Sequence, residues 1–145
     1  MDRYPVEWNG KTLGLGKLTG GIKKAFCEWI ILKLRTDAEV DNAGYPAKLN
    51  AYLDGLRARV WWIASRMSPT VWEWLYKSYE GGLQYARLML NVSVKEMTDD
   101  ELGQFLDEKE ADPASDYMVA LNLIHEEANP KATARPTSGS ESTGT

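Results

Sequence analysis

The chain has 145 residues and a formal net charge of −4 at pH 7, with 43% hydrophobic and 26% charged residues. These values are typical of one globular domain with a sizeable core, and they lack the basic excess expected of a nucleic-acid-binding protein. A single cysteine, Cys27, excludes a disulfide within the chain and fits a reducing compartment. No apolar run reaches the roughly 20 residues that span a bilayer, and the N-terminus does not resemble a signal peptide. We therefore expect a cytoplasmic protein without a membrane segment.

The N-terminal segment predicts a β-hairpin over residues 6–15. Val6 and Trp8 alternate with polar or special residues, and Asn9-Gly10 follows, which is the strongest short signal for a tight hairpin turn. A two-stranded sheet is only marginally stable alone. We therefore expect the hairpin to dock on the helices of the same chain, with pairing of its free edge to another chain as the alternative.

The glycines of this segment invite comparison with nucleotide-binding loops. Gly14, Gly16 and Lys17 resemble part of such a loop. However, a P-loop needs glycine where Lys11 stands and a hydroxyl side chain where Leu18 stands. The dinucleotide-binding fingerprint is also incomplete in this sequence, because its third glycine is replaced by Thr19. Neither motif is present, so we expect no nucleotide cofactor.

A first helix is predicted from Gly20 to about Arg35, with Thr19 as its N-cap. Its apolar face is formed by Ile22, Phe26, Trp29 and Ile30. The acidic, turn-forming segment from Asp37 to Gly44 is expected to be a linker.

Residues 49–90 are predicted to form a helical hairpin on which the other elements pack. Its first helix begins near Pro46 and presents one apolar stripe, formed by Leu49, Leu53, Leu56, Val60, Ile63 and Met67. Ser68-Pro69 is expected to end this helix and to begin the next. The second helix has an apolar stripe formed by Trp72, Leu75, Tyr76 and Tyr79, continued by Leu83, Ala86 and Leu90.

Four of the six tryptophans lie in this region, and they cannot all face one core. Neighbours in a helix point about 100° apart, and residues two apart point about 200° apart. This separates Trp61 from Trp62 and Trp74 from Trp72, and it places Trp61 and Trp74 among polar neighbours. The two side chains either lie under another segment of the chain or face a partner. With Trp8 they form the candidate partner surface.

Two further helices are predicted in the C-terminal part. Thr98 and Glu101 form a capping-box pattern that opens a helix with Leu102, Phe105 and Leu106 on its apolar face. Asp112-Pro113 is predicted to begin the last helix, which ends before Pro130. Its inward residues are expected to be Tyr117, Leu121 and Ile124.

Residues 96–116 hold nine carboxylates and one basic residue, Lys109. We interpret this run as a solvated face, with an acidic patch for a basic partner as the alternative. Residues 131–145 are rich in Ser, Thr, Gly and Pro and contain no aromatic residue, so a disordered tail is predicted. The expected fold is mainly α, with one globular domain over residues 1–130. It consists of the hairpin and about five helices over residues 19–129.

The sequence offers little for catalysis. His125 is the only histidine and stands beside two glutamates, and Cys27 lies between Phe26 and Trp29 as a buried thiol would. One His and one Cys cannot assemble a metal site of nitrogen and sulfur ligands in one chain. We predict no catalytic residue, cofactor or metal, and a protein that is not an enzyme.

Several features together carry a resemblance to a known family. They are Trp8-Asn9-Gly10-Lys11 in a strand pair, Leu18-Thr19 before a helix, a tryptophan-rich helical body, and Met97-Thr98-Asp99-Asp100-Glu101-Leu102 at the start of an acidic helix. In their order along the chain and in their residue types, together with the polar C-terminal end, these features resemble the tail assembly chaperones of long-tailed bacteriophages. The resemblance implies a non-catalytic assembly factor in the host cytoplasm, absent from the mature virion. It would bind the tape-measure protein and help to recruit tail tube subunits.

Many members of that family gain a second domain through a programmed −1 ribosomal frameshift near the end of the gene. Asn129-Pro130-Lys131 can be encoded by AAC-CCA-AAG or AAC-CCA-AAA, which contain CCC followed by AAA. These three residues are therefore the candidate frameshift position.

Two alternative functions come from other classes. One is a structural phage component, such as a head-tail connector or a minor tail protein, and the other is a small regulatory binding protein. The sequence does not decide whether the chain forms a homo-oligomer, and nucleic acid is not an expected partner.

Overall fold

The computed structural model describes residues 3–128. Within this range the elements follow in the order β1 (Arg3–Trp8), β2 (Lys11–Gly16), α1 (Gly20–Asp41), α2 (Pro46–Arg59), β3 (Trp62–Ile63), β4 (Arg66–Met67), α3 (Pro69–Tyr76), α4 (Tyr79–Leu90), α5 (Asp99–Glu110) and α6 (Asp116–Ala128). The mainly helical fold with an N-terminal hairpin confirms the predicted class, with six described helices instead of about five. The predicted disordered tail and the candidate frameshift position lie outside the described residues.

The chain groups into two compact units. Unit 1 contains the residues up to Thr19 and those from Met89 onward, and unit 2 is the continuous segment Gly20–Leu88. The prediction of one globular domain over residues 1–130 stays a prediction.

In unit 1, the predicted β-hairpin is confirmed and begins three residues earlier than expected. β1 and β2 pair antiparallel with Trp8 opposite Lys11. Asn9 and Gly10 have φ angles of 48° and 76°, as a tight two-residue turn requires. The buried face carries Val6, Trp8 and Leu15, and α6 packs against both strands. Docking on helices of the same chain is therefore confirmed.

The two glycines of β2 make room for an arginine side chain. The guanidinium of Arg3 donates to the Gly14 carbonyl from Nε at 3.1 Å and from Nη2 at 2.6 Å, and it reaches the Met89 carbonyl at 3.1 Å. A Cβ on Gly14 would lie 2.8 Å from Arg3 Nε, and one on Gly16 would lie 2.7 Å from Arg3 Nη1. This packing explains the glycine spacing that resembled a nucleotide-binding loop.

Asp116 joins three elements of unit 1. Its Oδ1 accepts hydrogen bonds from Lys109 Nζ and from the Tyr117 amide, both at 2.7 Å, and its Oδ2 accepts from the Glu7 amide at 2.8 Å. Burial alone would raise the pKa of this carboxyl. The three donors and the Lys109 charge outweigh that effect, so the pKa lies below its ordinary value.

The same contact closes the outer edge of β1. The Trp8–Lys11 pair next to the turn is hydrogen-bonded, so the amides of Glu7, Pro5 and Arg3 point away from β2. Pro5 has no N–H, and the Glu7 N–H is bound by Asp116. This edge is therefore unsuited to a partner strand.

In α5 the predicted capping box is present, whereas α6 begins later than predicted. Thr98 Oγ1 accepts from the Glu101 amide at 3.2 Å, and Glu101 Oε1 accepts from the Thr98 amide at 2.9 Å. The start of α6 at Asp112-Pro113 was wrong. Asp112 Oδ1 instead accepts from the Ala114 amide in a tight turn, and Ser115 Oγ accepts from the Met118 amide before α6 begins.

In unit 2, α1 is longer than predicted. It continues to Asp41, so the linker predicted from Asp37 was wrong over its first half. Ala38 is buried and extends the apolar face one turn beyond the predicted end at Arg35. In the last turn, the Asn42 amide and side chain both donate to the Ala38 carbonyl at 2.9 Å.

The helix predicted as far as Met67 was also wrong, because α2 ends at Arg59. Val60 is extended, and the next residues form the short strand pair β3–β4. Val60 to Ile63 are β-branched or aromatic without interruption, which favours extended backbone over helix. In the strand Trp62 points into the core of unit 2, where its ring lies 6.3 Å from that of Phe26.

The stripe predicted for α3 was wrong, because the buried face is shifted by one position toward the N-terminus. Val71 and Leu75 are buried and Trp74 is half-buried, whereas Trp72, Tyr76 and the later Tyr79 are exposed. The Ser68 side chain accepts from the Val71 amide and sets where the helix begins. In α4 the predicted stripe of Leu83, Ala86 and Leu90 is buried as expected.

Gly81 and Gly82 form a matched pair for mutagenesis. A Cβ on Gly81 would lie 1.8 Å from the Trp74 carbonyl oxygen, whereas a Cβ on Gly82 would meet nothing within 4 Å. We expect Gly81→Ala to lower the free energy of unfolding by roughly 3 kcal/mol, because helical backbone must shift. Gly82→Ala should raise it by about 0.5–1 kcal/mol through helix propensity. Urea unfolding measures both, and equal effects would contradict this packing.

Asp116→Asn tests the contact that joins β1, α5 and α6. The variant should lose about 1–2 kcal/mol of stability at neutral pH, because a charged acceptor is replaced by an amide. The folded-state pKa is lowered, so the stabilisation is complete above the ordinary value of 3.8 and is lost as the pH falls through the folded-state value. The difference between wild type and variant should therefore shrink in acid.

Asp107→Asn is the control for this measurement, because Asp107 is exposed on the same helix, α5. Its effect on stability should stay within about 0.5 kcal/mol at every pH. An Asp116→Asn effect no larger than that of the control would show that the hydrogen bonds of Asp116 contribute little.

Candidate partner-binding surface

The three tryptophans of the candidate surface have different environments. Trp8 is 9% exposed, and its ring meets Phe105 edge-on at 5.5 Å, so it offers little area to a partner. Trp74 is half-buried and meets Trp29 of α1 edge-on at 5.4 Å. Trp61 is half-buried and lines an open groove in unit 2.

We call this groove the aromatic groove. It is shallow and has a volume of about 630 Å³. The residues that line it come from the β3–β4 hairpin, its flanking Trp61 and helix α3, and they are Trp61, Ser65, Arg66, Met67, Trp72 and Tyr76. The groove thus combines three aromatic side chains, one thioether and one cation.

The β3–β4 hairpin is held in place from the core side. Trp62 is buried between Phe26 and Tyr85, with ring centroids 6.3 Å and 6.1 Å away. The Lys23 ammonium donates to the Ala64 carbonyl at the hairpin tip and lies 5.7 Å from the Trp62 ring centroid. Because successive side chains in extended backbone point to opposite faces, burial of Trp62 turns its neighbour Trp61 toward the groove.

Ser68 fixes Trp61 beside the start of α3. Its amide donates to the Trp61 carbonyl at 2.9 Å, and its hydroxyl lies 3.4 Å from the amides of Trp61 and Val71. Ser68 is 1% exposed, so these bonds are shielded from water. One small side chain therefore closes the hairpin and caps the helix.

Helix α3 presents its aromatic residues to solvent because its other face is buried. Val71 and Leu75 pack inward, which leaves Trp72 and Tyr76 on the opposite side. They are 44% and 58% exposed, and their ring centroids are 5.5 Å apart. Large aromatic side chains exposed together are typical of a binding surface.

Two cations accompany these rings. The guanidinium carbon of Arg66 lies 5.8 Å from the Trp61 ring centroid, and Lys77 Nζ lies 5.2 Å from that of Trp72. In the described part of the chain neither cation forms an ion pair. By contrast, Lys33 binds Glu80 at 2.8 Å, and Arg57 binds Glu28 at 3.0 Å. The groove is therefore apolar with uncompensated positive charge beside it.

The other reactive side chains are poorly placed for chemistry. Burial raises the pKa of the Cys27 thiol, and the Glu28 carboxylate raises it further, so the thiol is protonated at neutral pH. Burial lowers the pKa of His125, which keeps the imidazole neutral. Among residues 3–128 no group of His, Cys, Asp and Glu could hold a metal ion. No helix in that range is long and apolar enough to cross a membrane.

Comparison of the chain with protein-family models, with curated proteins and with solved structures finds no match in any of the three. Function therefore has to be inferred from the residues and their geometry.

The sequence pattern assigned Trp72 and Tyr76 to an apolar stripe and therefore missed them as exposed residues of the groove. Trp72, Leu75 and Tyr76 fit a helical stripe, but so do Val71, Trp74 and Leu75, and only packing chooses between them. No local signal decides between the two stripes, because the helix start at Ser68-Pro69 is compatible with both.

Replacement by serine should affect the free energy of unfolding differently at the exposed tryptophan of α3 and at the packed one. Trp74→Ser removes the edge-on contact with Trp29 and should lower the free energy of unfolding by about 2 kcal/mol. Trp72→Ser should change it by less than about 1 kcal/mol, because much of the ring is already in water. Thermal unfolding of both variants measures the difference, and the reverse order would contradict the assignment of Trp72 to the surface.

Proposed function

We propose that this protein is a non-catalytic assembly chaperone for a phage tail, which binds the tape-measure protein and helps to recruit tail tube subunits. The observation that carries the proposal is the aromatic groove, in which Trp61, Trp72 and Tyr76 form a shared apolar surface on a small helical protein. The family resemblance of the sequence supplies the identity of the client.

The groove suits a chaperone for physical reasons. A long polypeptide with apolar helical stretches aggregates unless another surface covers them before assembly. A shallow groove buries modest area, so binding would be reversible and the client could be released to the growing tail. Met67 adds a flexible side chain that adapts to different apolar residues, as promiscuous binding surfaces require.

Co-expression with the tape-measure protein of the same genome tests this function. The wild-type chain should keep that protein soluble and co-purify with it. The double variant Trp72→Ser/Tyr76→Ser should retain about one tenth or less of the co-purified client, because exposed aromatic residues dominate such interfaces. Melting temperatures of wild type and variant should be similar.

Val119→Ser/Leu123→Ser is the matched control. These two side chains are 47% and 44% exposed on α6 of unit 1, so the variant removes two exposed apolar side chains outside the groove. It should leave co-purification unchanged. Equal loss in both double variants would refute a specific role of the groove, and loss in neither would refute the role of the aromatic residues.

The proposed frameshift is tested by the intact mass of every product made from the native gene with its downstream DNA. We expect a minor, longer product whose peptides change to the −1 frame near Asn129-Pro130-Lys131. A single product of 145 residues would remove the frameshift from the proposal.

Mass spectrometry of purified phage particles distinguishes the chaperone from a structural component. A connector or minor tail protein would be present in the particles, whereas a chaperone would be absent.

A further inference from the structure

Charge is divided unevenly along this chain. Unit 2 contains ten basic and seven acidic residues, a net +3, whereas the rest of the chain contains seven basic and fourteen acidic residues, a net −7. The overall value of −4 therefore conceals a basic segment, and the aromatic groove belongs to that segment. A partner of the groove meets a positive local potential.

Two cations at the groove interact with aromatic rings. Arg66 lines the groove beside Trp61, and Lys77 stands over Trp72, and in the described residues neither forms an ion pair. Glu73 on α3 and Lys77 at its C-terminal cap lie one turn apart, and neither lines the groove itself. An anionic group brought by a partner could pair with both cations and keep their stacking on the rings.

The shape of the groove favours a helix over an extended peptide. Trp72 and Tyr76, at i and i+4 of α3, have ring centroids 5.5 Å apart and form one continuous apolar face. The strands β3 and β4 have two residues each, too short to pair with an extended segment. A helix satisfies its own backbone hydrogen bonds and needs no such pairing.

We propose that the aromatic groove binds an amphipathic helix of a partner protein that carries carboxylates beside its apolar face. The proposal rests on the chaperone function above, and it adds the chemistry of the client segment that is recognised. Apolar side chains of the helix pack against Trp61, Trp72 and Tyr76. Its carboxylates pair with Arg66 and Lys77.

A single-stranded nucleic acid would also be attracted by cations and aromatic rings, but the geometry favours it less. Bases bind by stacking on open ring faces. Arg66 lies over Trp61, and Lys77 lies over Trp72, so one face of each of these tryptophans is occupied by a side chain of the protein itself.

Two designed peptides of about 18 residues, roughly five helical turns, test the charge preference. Both carry the same leucine face, and the flanking positions are glutamate in one and lysine in the other. Fluorescence anisotropy of the labelled peptides with the full chain should give a dissociation constant about tenfold lower for the glutamate peptide at low salt. The ratio should fall toward one as salt rises from about 50 mM to 300 mM.

The double variant Arg66→Glu/Lys77→Glu should reverse the preference, so that the lysine peptide binds more tightly. Lys24→Glu/Arg35→Glu changes the net charge of unit 2 by the same amount at exposed positions outside the groove, and it should retain the preference. Trp72→Ser should weaken both peptides without changing their order. Circular dichroism of each variant checks that the helices are intact.

Three results would overturn the inference: equal binding of the two peptides, binding of neither, or a preference that survives in Arg66→Glu/Lys77→Glu. Competition by an oligothymidylate of about 20 nucleotides that displaces the glutamate peptide at equal or lower concentration would assign the groove to nucleic acid instead. Failure of the peptides together with groove-dependent capture of the tape-measure protein would reject this inference and leave the proposed function. If the glutamate peptide binds as expected but the tape-measure protein is not captured, the proposed function is rejected and the helix-binding inference is kept.

Discussion

The burial of Trp62 is the contact on which the surface of unit 2 depends. Its ring lies between Phe26 and Tyr85, and this position requires extended backbone where the helical pattern would continue α2. Extended backbone turns Trp61 outward, and Ser68 then holds Trp61 beside α3 through backbone and hydroxyl hydrogen bonds. The groove is therefore a consequence of core packing on the opposite side of the hairpin.

Local signals in the sequence predicted much of this fold, and the failures occurred where packing decides. Asn9-Gly10 and the capping box of Thr98 and Glu101 each specify a few hydrogen bonds within a short segment, so they could be predicted reliably. The end of α2 was not predicted, because six apolar residues from Leu49 to Met67 keep helical spacing. The preference of Val60 to Ile63 for extended backbone is weak, and the burial of Trp62 is needed to decide the break. For the same reason the sequence indicated that some tryptophans face outward but misassigned Trp72, which the groove contains.

Charge and shape together narrow the partners that this protein can bind. Exposed aromatic rings alone would attract many apolar surfaces, including those of misfolded chains. Arg66 and Lys77 restrict that range, because a basic partner helix would bring like charges into a partly desolvated site. Specificity gained from repulsion does not require tight binding.

Unit 1 is discontinuous in the chain, and this has a consequence for the order of synthesis. The β1–β2 hairpin leaves the ribosome before unit 2, yet α5 and α6, which pack against it, come after the whole of unit 2. At about 5–20 residues per second, the ribosome needs several seconds to translate the intervening segment. Throughout that interval α5 and α6 have not yet been made, so the apolar face of the hairpin lacks the helices that bury it. The nascent chain therefore passes through a stage in which this face can aggregate.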